Sequence, residues 1–327
     1  MKAIVIKQFG GPEVLTVEER PTPQAGEGEL LVRVRATALN RADILQRLGK
    51  YPPPPGVTDI PGLEMAGEIA SVGPGVTDYR EGDRVCALLP GGGYAEYVAI
   101  PAGMAMPIPD HLTYEEAAAI PEAFLTAYLN LWWLGGLQPE HRVLVHAGAS
   151  GVGTAALQLI HDAGAAGYAT AGSQRKLLKA CELGARASRN YRTGWREWIM
   201  EQTDNQGVNI VLDFVGAPYF EDHLQVLTAD GKLIVIGTLG GAVTERPLHL
   251  GRLLAKRLQI IGTTLRTRSI EDKIRLTREF AAYALPRFAD GRLKPVIDSI
   301  YELREAAEAH RRMEANENIG KMILRVP

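Results

Sequence analysis

A chain of 327 residues holds enough material for two domains with buried cores. Its composition, 46% hydrophobic and 23% charged with a formal net charge of −2, is ordinary for a globular protein, and the absence of a basic field gives no reason to invoke nucleic acid or an anionic membrane as the main partner. No run of about 20 apolar residues is present to span a bilayer, and two cysteines, Cys86 and Cys181, are too few for a disulfide framework, so a reducing cytoplasm is the expected location.

The opening MKAIVIKQFGG reads as a strand rather than a secretory signal, because few apolar residues separate Lys2 from Lys7. Strands are expected in AIVI, VLTVEE and LLVRVRA, the last two separated by the Pro/Gly loop PTPQAGEGE. Asn40 is placed to cap a short helix carrying Ile44, Leu45 and Leu48 and ending at Gly49. Prolines 52 to 55 then make a stiff connector that fixes Tyr51, as a turn-packing residue or as a pocket residue. Glycines 62, 67, 73, 75 and 82 interrupt short β-prone runs, the pattern of a small barrel-like β domain, and Gly91 to Gly93 open the strand YAEYVAIP. Within that region Glu64 sits among apolar residues, either as a functional carboxylate or as one bonded to turn amides. From Thr113 the period becomes helical; Pro121 divides the segment in two, with Thr126 in the second helix and Gly135 and Gly136 at its end.

Residues Arg142 to Leu159, RVLVHAGASGVGTAALQL, form the centre of the pattern: a short apolar strand, a glycine turn (Gly148, Gly151, Gly153) and a helix start. Such a turn lets backbone approach a diphosphate and aims free helix amides at it. Beyond it, β and α segments alternate: GYATAG as strand, QRKLLKACELGA and WREWIMEQT as helices, NIVLDFVG as strand, HLQVLTADG as helix and KLIVIGT as strand. Near-continuous apolar strands require a parallel sheet covered on both faces, a doubly wound dinucleotide-binding fold with ligands at the carboxyl ends of its strands, where Gly216, Gly237, Leu239 and Gly240 stand. Leu258 to Leu265 reads as an exposed edge strand, which predicts a homodimer formed there. Helices are expected around Glu271 to Leu285 and Leu303 to Ala315, and the closing GKMILRV strand is expected to rejoin the first domain.

The region after the second strand, AGSQRK, carries Ser173, Arg175 and Lys176 and no acid, which favours NADP over NAD because a carboxylate there would repel a 2′-phosphate. Arg175 also reads as the solvated start of a helix. The seven histidines are scattered and neither cysteine has a neighbour at ligand spacing, so no zinc is expected. Val152 stands where the last glycine of a GxSxG elbow belongs, which excludes serine hydrolysis and leaves Ser150 as a turn residue near the diphosphate. Hydride transfer from a nicotinamide needs no protein nucleophile and fits that inventory.

LNRADILQR, YPPPPG, PGLEMAGEI, LPGGGYAEYV, AAAIPEAFLTAY, HAGASGVGTAALQL and MEANENIGK together resemble the zinc-free, zeta-crystallin-like quinone oxidoreductases of the medium-chain dehydrogenase/reductase superfamily, nearest the tumour-suppressor-induced branch. The resemblance spans essentially the whole chain. It implies an α/β protein with a GroES-like β-rich catalytic domain, residues 1–122 and 267–327, and a doubly wound Rossmann NADP-binding domain, residues 123–266. By position it places Asn40, Asp43, Tyr51, Glu64 and Thr126 around the nicotinamide and the substrate, and Ser150, Gly151, Val152, Ser173, Lys176 and Tyr191 on the diphosphate and 2′-phosphate. A bacterial relative's 2′-phosphate arginine is replaced here by Asn316, which leaves Asn318 and Lys321 as candidates for that contact.

The implied activity is NADPH-dependent reduction of a quinone without metal. Reduction of the C=C bond of an enal or enone is the alternative, since a conjugated carbonyl is electronically like half a quinone. A low-turnover NADPH-binding or RNA-binding protein is a further reading, opposed by the near-neutral charge.

Overall fold

The computed structural model describes residues 1–327. They form two compact units, Met1–Leu125 with Leu265–Pro327, and Thr126–Thr264.

The first unit is β-rich. Its seven-stranded sheet runs in the order Ile297–Glu302, Lys321–Arg325, Glu29–Ala38, Glu64–Val72, Arg84–Leu88, Ala105–Pro107, and Tyr97–Pro101 adds to the same central strand, Glu29–Ala38. Alternation puts Val32, Val34, Met65, Ile69 and Val85 inside, with Leu324 from the far end of the chain among them. The closing strand does rejoin this unit: Ile323 lies opposite Ala38 and Leu324 opposite Thr37. It brings a parallel neighbour, Ile297–Glu302, that the sequence reading did not anticipate. The long helix Ile270–Ala289 carries Pro286 near its carboxyl end and buries Leu276, Phe280, Ala284 and Phe288.

The second unit is a parallel six-stranded sheet in the order Ala185–Asn190, Ala166–Ala171, Arg142–Val145, Val208–Asp213, Leu227–Val235, Gln259–Gly262. In chain order that is 3-2-1-4-5-6, the doubly wound arrangement, whose order reverses between Arg142–Val145 and Val208–Asp213. Two expectations are corrected here. Ala185–Asn190 is a strand, hidden in the sequence because ARASRN is polar on an edge that needs little apolar content. HLQVLTADG is helical only to Val226; from Leu227 the chain enters the strand Leu227–Val235, where pairing with Val208–Asp213 outweighs helix propensity. Gln259–Gly262 is an edge strand paired on one side, with Ile260 exposed. No helix is long and apolar enough to cross a membrane.

Candidate functional site

In the second unit the glycine turn and the turn after Val208–Asp213 stand on either side of the reversal in strand order. Ser150 caps the helix Gly151–Asp162 by accepting the Gly153 amide at 3.1 Å. The amides of Gly151 and Val152 lie ahead of the intrahelical ladder, at the positive end of the dipole. A Cβ at Gly153 would stand 2.4 Å from the Ala147 carbonyl oxygen, so only glycine permits this cradle, and the cradle fits a diphosphate.

The end of the strand Ala166–Ala171 gathers the residues expected at a 2′-phosphate. Ser173 caps the helix Gln174–Glu182 and accepts the Lys176 amide at 3.4 Å. A Cβ at Gly172 would meet the Tyr191 ring at 3.0 Å, and Arg192 donates to the Gly172 carbonyl at 3.0 Å while lying 4.5 Å over that ring. Arg192 carries no signal in the sequence because the strand that delivers it, Ala185–Asn190, is polar. Gly237 and Leu239 donate backbone N–H groups to the carbonyls of Asp213 and Phe214, and Gly216 pairs with Gly241.

Below these turns lies a buried polar cluster, also unanticipated. His146 stands 2.8 Å from the Thr170 hydroxyl and 2.9 Å from His223, and the Asp213 carboxylate accepts the Val215 and Gly216 amides at 2.8 and 3.1 Å. Burial pushes His146 down to about 3 and lowers His223 well below the usual histidine range. Both imidazoles are therefore neutral hydrogen-bonding groups. Thr126, in the helix Pro121–Tyr128, is buried; its carbonyl accepts the Asn130 amide at 2.7 Å and its hydroxyl has no partner.

In the first unit the expected catalytic residues are drawn together, and most are committed to one another. Asp43 is 1% exposed and accepts from the Asn40 and Gly62 amides, at 2.8 and 3.1 Å, and from the Tyr94 hydroxyl at 3.3 Å. Gly62 makes its contact with φ +102°, where a Cβ would stand 2.6 Å from the Tyr94 nitrogen. Burial outweighs these bonds and pushes Asp43 up to about 6. Glu64 is fully buried, with one oxygen accepting from Asn40 Nδ2 and Lys321 Nζ, each at 2.7 Å, and the other from the Glu122 amide at 2.8 Å. Lys321 also donates to the Leu39 carbonyl at 2.8 Å and to Asn40 Oδ1 at 2.6 Å.

One correction follows: Lys321 is not a 2′-phosphate contact, because its ammonium is buried in this network with three oxygens around it. Asn40 and Asp43 have polar atoms hydrogen-bonded within the protein, and Asn318 donates its side-chain amide to the Gly320 carbonyl at 2.9 Å.

Tyr51 is half-buried, with its ring under the Arg266 guanidinium at 5.2 Å. Arg266 donates to the Pro90 carbonyl at 2.8 Å and to Gln46 Oε1 at 2.9 Å. Glu122, near the start of the helix Pro121–Tyr128, is a half-buried residue whose carboxyl is pushed up to about 8, first by burial and then by the charge of Glu64. Neither Arg266 nor Glu122 carries a sequence motif that marks it.

Comparison with known proteins agrees with this construction. The alcohol dehydrogenase GroES-like domain family matches residues 26–110, and the zinc-binding dehydrogenase family matches residues 151–282. The human synaptic vesicle membrane protein VAT-1 homolog is 32% identical over 99% of this chain and 86% of its own length. The crystal structure of Escherichia coli quinone oxidoreductase complexed with NADPH superposes with a TM-score of 0.89 at 31% identity, covering 99% of this chain and 100% of that one. The CurK enoyl reductase structure gives a TM-score of 0.88 at 28% identity, over 100% of this chain and 99% of that one. With a strand-rich unit, a doubly wound unit and these full-length similarities, the chain belongs to the medium-chain dehydrogenase/reductase superfamily, among its quinone oxidoreductase homologues.

Proposed function

We propose that this chain is an NADPH-dependent quinone reductase that works without a metal. The observation that carries the reading is the pairing of a glycine cradle at Gly151–Gly153 with Ser173, Lys176, Tyr191 and Arg192 at the next strand end, together with the NADPH-bound quinone oxidoreductase it resembles at full length. The Gly151 and Val152 amides hold the diphosphate, the Ser173 group holds the 2′-phosphate, and the turns at Gly216, Gly237 and Leu239 complete the binding edge. On this reading Met1–Leu125 with Leu265–Pro327 is the catalytic part and Thr126–Thr264 the coenzyme part.

The reduced nicotinamide supplies the hydride; the chain's own residues orient the acceptor and keep its surroundings dry. Tyr51 donates a hydrogen bond to an acceptor oxygen, and the Asn40–Glu64–Lys321 network fixes the floor beneath it. Metal-free chemistry is supported by Lys321, whose ammonium already sits on Asn40 Oδ1 and Glu64, the oxygens a cation would use. The exposed edge strand Gln259–Gly262, with Leu254 and Ile260 exposed beside it, supports a homodimer formed through that edge. Free Cys86 and Cys181 support a reducing, cytoplasmic setting.

Oxidation of NADPH and of NADH against a panel of quinones and enals tests the activity. Quinone turnover with NADPH is expected; turnover of enals alone would transfer the reading to a C=C reductase, the alternative that the likeness to an enoyl reductase favours. NADPH binding with no turnover on any acceptor would leave a binding protein. Lys176→Ala is expected to raise the KM for NADPH about tenfold, the worth of one charge-assisted hydrogen bond, and to leave NADH unchanged. Tyr51→Phe is expected to lower turnover; unchanged kinetics would remove Tyr51 from the mechanism.

A further inference from the structure

Arg266 is 6% exposed, yet no carboxylate forms an ion pair with it. Nε is spent on the Pro90 carbonyl and Nη2 on Gln46, both neutral acceptors, and the Tyr51 ring covers the guanidinium face. Nη1, with two N–H groups, is buried and has no partner. A second buried cation follows one helical turn into the next element: Lys273, 6% exposed, whose ammonium donates to the Arg266 carbonyl at 2.7 Å and likewise lacks an ion pair. Two sequestered cations with unspent donors are costly for a fold to keep, because neither solvent nor a counter-charge offsets their desolvation. Asp43 and Glu122 act electrostatically on Arg266 without forming an ion pair with it, and the Glu122 carboxyl, pushed up to about 8, is mostly protonated at neutral pH.

The charge deficit matches what hydride transfer creates. A hydride added at the β-carbon of a quinone or enone shifts the C=C pair toward the carbonyl and the C=O π pair onto oxygen, giving an enolate; in the quinone case loss of a proton from that carbon and gain of one at oxygen then aromatise the ring to the hydroquinone. A proton from solvent then completes the dihydro product, and the electrons come from the reduced nicotinamide. We propose that Arg266, through Nη1, is a catalytic residue that binds this oxyanion and so selects acceptors whose carbonyl oxygen becomes a phenolate or enolate. Arg266 acts with Tyr51: the tyrosine hydroxyl contacts the acceptor oxygen from the rim and the guanidinium meets the charge as it forms. The proposal rests on the reductase reading for its reaction, while the anion site itself is testable without turnover.

The probe is 4-nitrophenol, whose absorbance distinguishes phenol from phenolate. Titrated into the full-length wild-type protein below the pH at which it ionises in solution, it is expected to bind as the phenolate. Arg266→Met is expected to weaken that binding about tenfold or more and Arg266→Lys to keep part of it, with melting curves confirming that each variant is folded. In turnover, Arg266→Met should lower kcat about a hundredfold, the usual cost of removing an oxyanion donor, with NADPH affinity unchanged. The loss should shrink for quinones whose hydroquinones are more acidic, because their oxyanions need less help. Binding of neutral phenol by the wild type, no binding of either form, or equal phenolate affinity in wild type and a folded Arg266→Met or Arg266→Lys variant would overturn the proposal. Arg266-dependent phenolate binding in a protein that reduces no acceptor would leave the anion site standing and remove the reductase reading.

Discussion

The two units build their sites from different materials. In Thr126–Thr264 the proposed diphosphate site is built from backbone: amides at a helix start, a glycine cradle and turns pinned by the Asp213 carboxylate. In the other unit the candidate groups are side chains brought from positions 40, 51, 64, 122, 266 and 321, most of them buried and bonded to one another. A backbone site tolerates variation in side chains and fails when a Cβ intrudes. A side-chain network tolerates nothing that unbalances its charges, because a buried charge left without its partner has no solvent to turn to.

The largest effect is expected where that contrast is sharpest. Lys321→Met leaves the Glu64 carboxylate buried with its cation gone, and should destabilise the protein by about 3–5 kcal/mol in denaturant unfolding. The double variant Lys321→Met/Glu64→Gln should recover much of that loss. A single variant costing less than the double would show that the pair is not a coupled buried unit.

In the backbone site, Gly153→Val forces a side chain into the space 2.4 Å from the Ala147 carbonyl. A stability loss of about 2 kcal/mol is expected, with NADPH affinity falling about a hundredfold or more, read by nucleotide fluorescence. Retained affinity would mean that the cradle is not where the nucleotide binds.

Glu122→Gln is expected to have the smallest effect, and its sign distinguishes it. The Glu122 pKa is raised from the ordinary 4.5 to about 8 in the folded protein, so the native state holds its proton more tightly than the unfolded chain does. The stabilisation is complete below about 4.5 and is lost as pH rises through about 8. Glutamine, neutral throughout, should remove that alkaline loss and leave the variant about 1 kcal/mol more stable than wild type at high pH, discounted because the residue is only half-buried. Parallel stability curves for the two proteins from acid to alkaline pH would show that Glu122 ionises as it does in water.

The same contrast explains what was legible in the sequence. The glycine turn at Gly148–Gly153 and the alternation of strands and helices are local patterns, and each is found where the sequence places it. Asn40 as a helix cap was legible for the same reason, with Asp43 three residues on as its capping partner. The misreadings are of another kind. Lys321 is a candidate phosphate contact in the sequence because nothing within ten residues of it announces Glu64; the antiparallel pairing of Lys321–Arg325 with Glu29–Ala38 brings the two together. Arg192 was missed because a polar edge strand has no apolar signature. His223 meets His146 across 77 positions, and Arg266 meets Gln46 across 220.

By itself, then, the sequence determined the doubly wound unit, the glycine cradle and the absence of an acid at the 2′-phosphate position, all of which depend on periodicity and spacing along a short stretch. Only the tertiary structure decided which polar side chains are engaged with one another and which, like Arg266 Nη1, are left with a charge to offer. The physical reason is that hydrogen bonds between distant segments, and the desolvation that gives them their strength, exist only once the chain has closed around them.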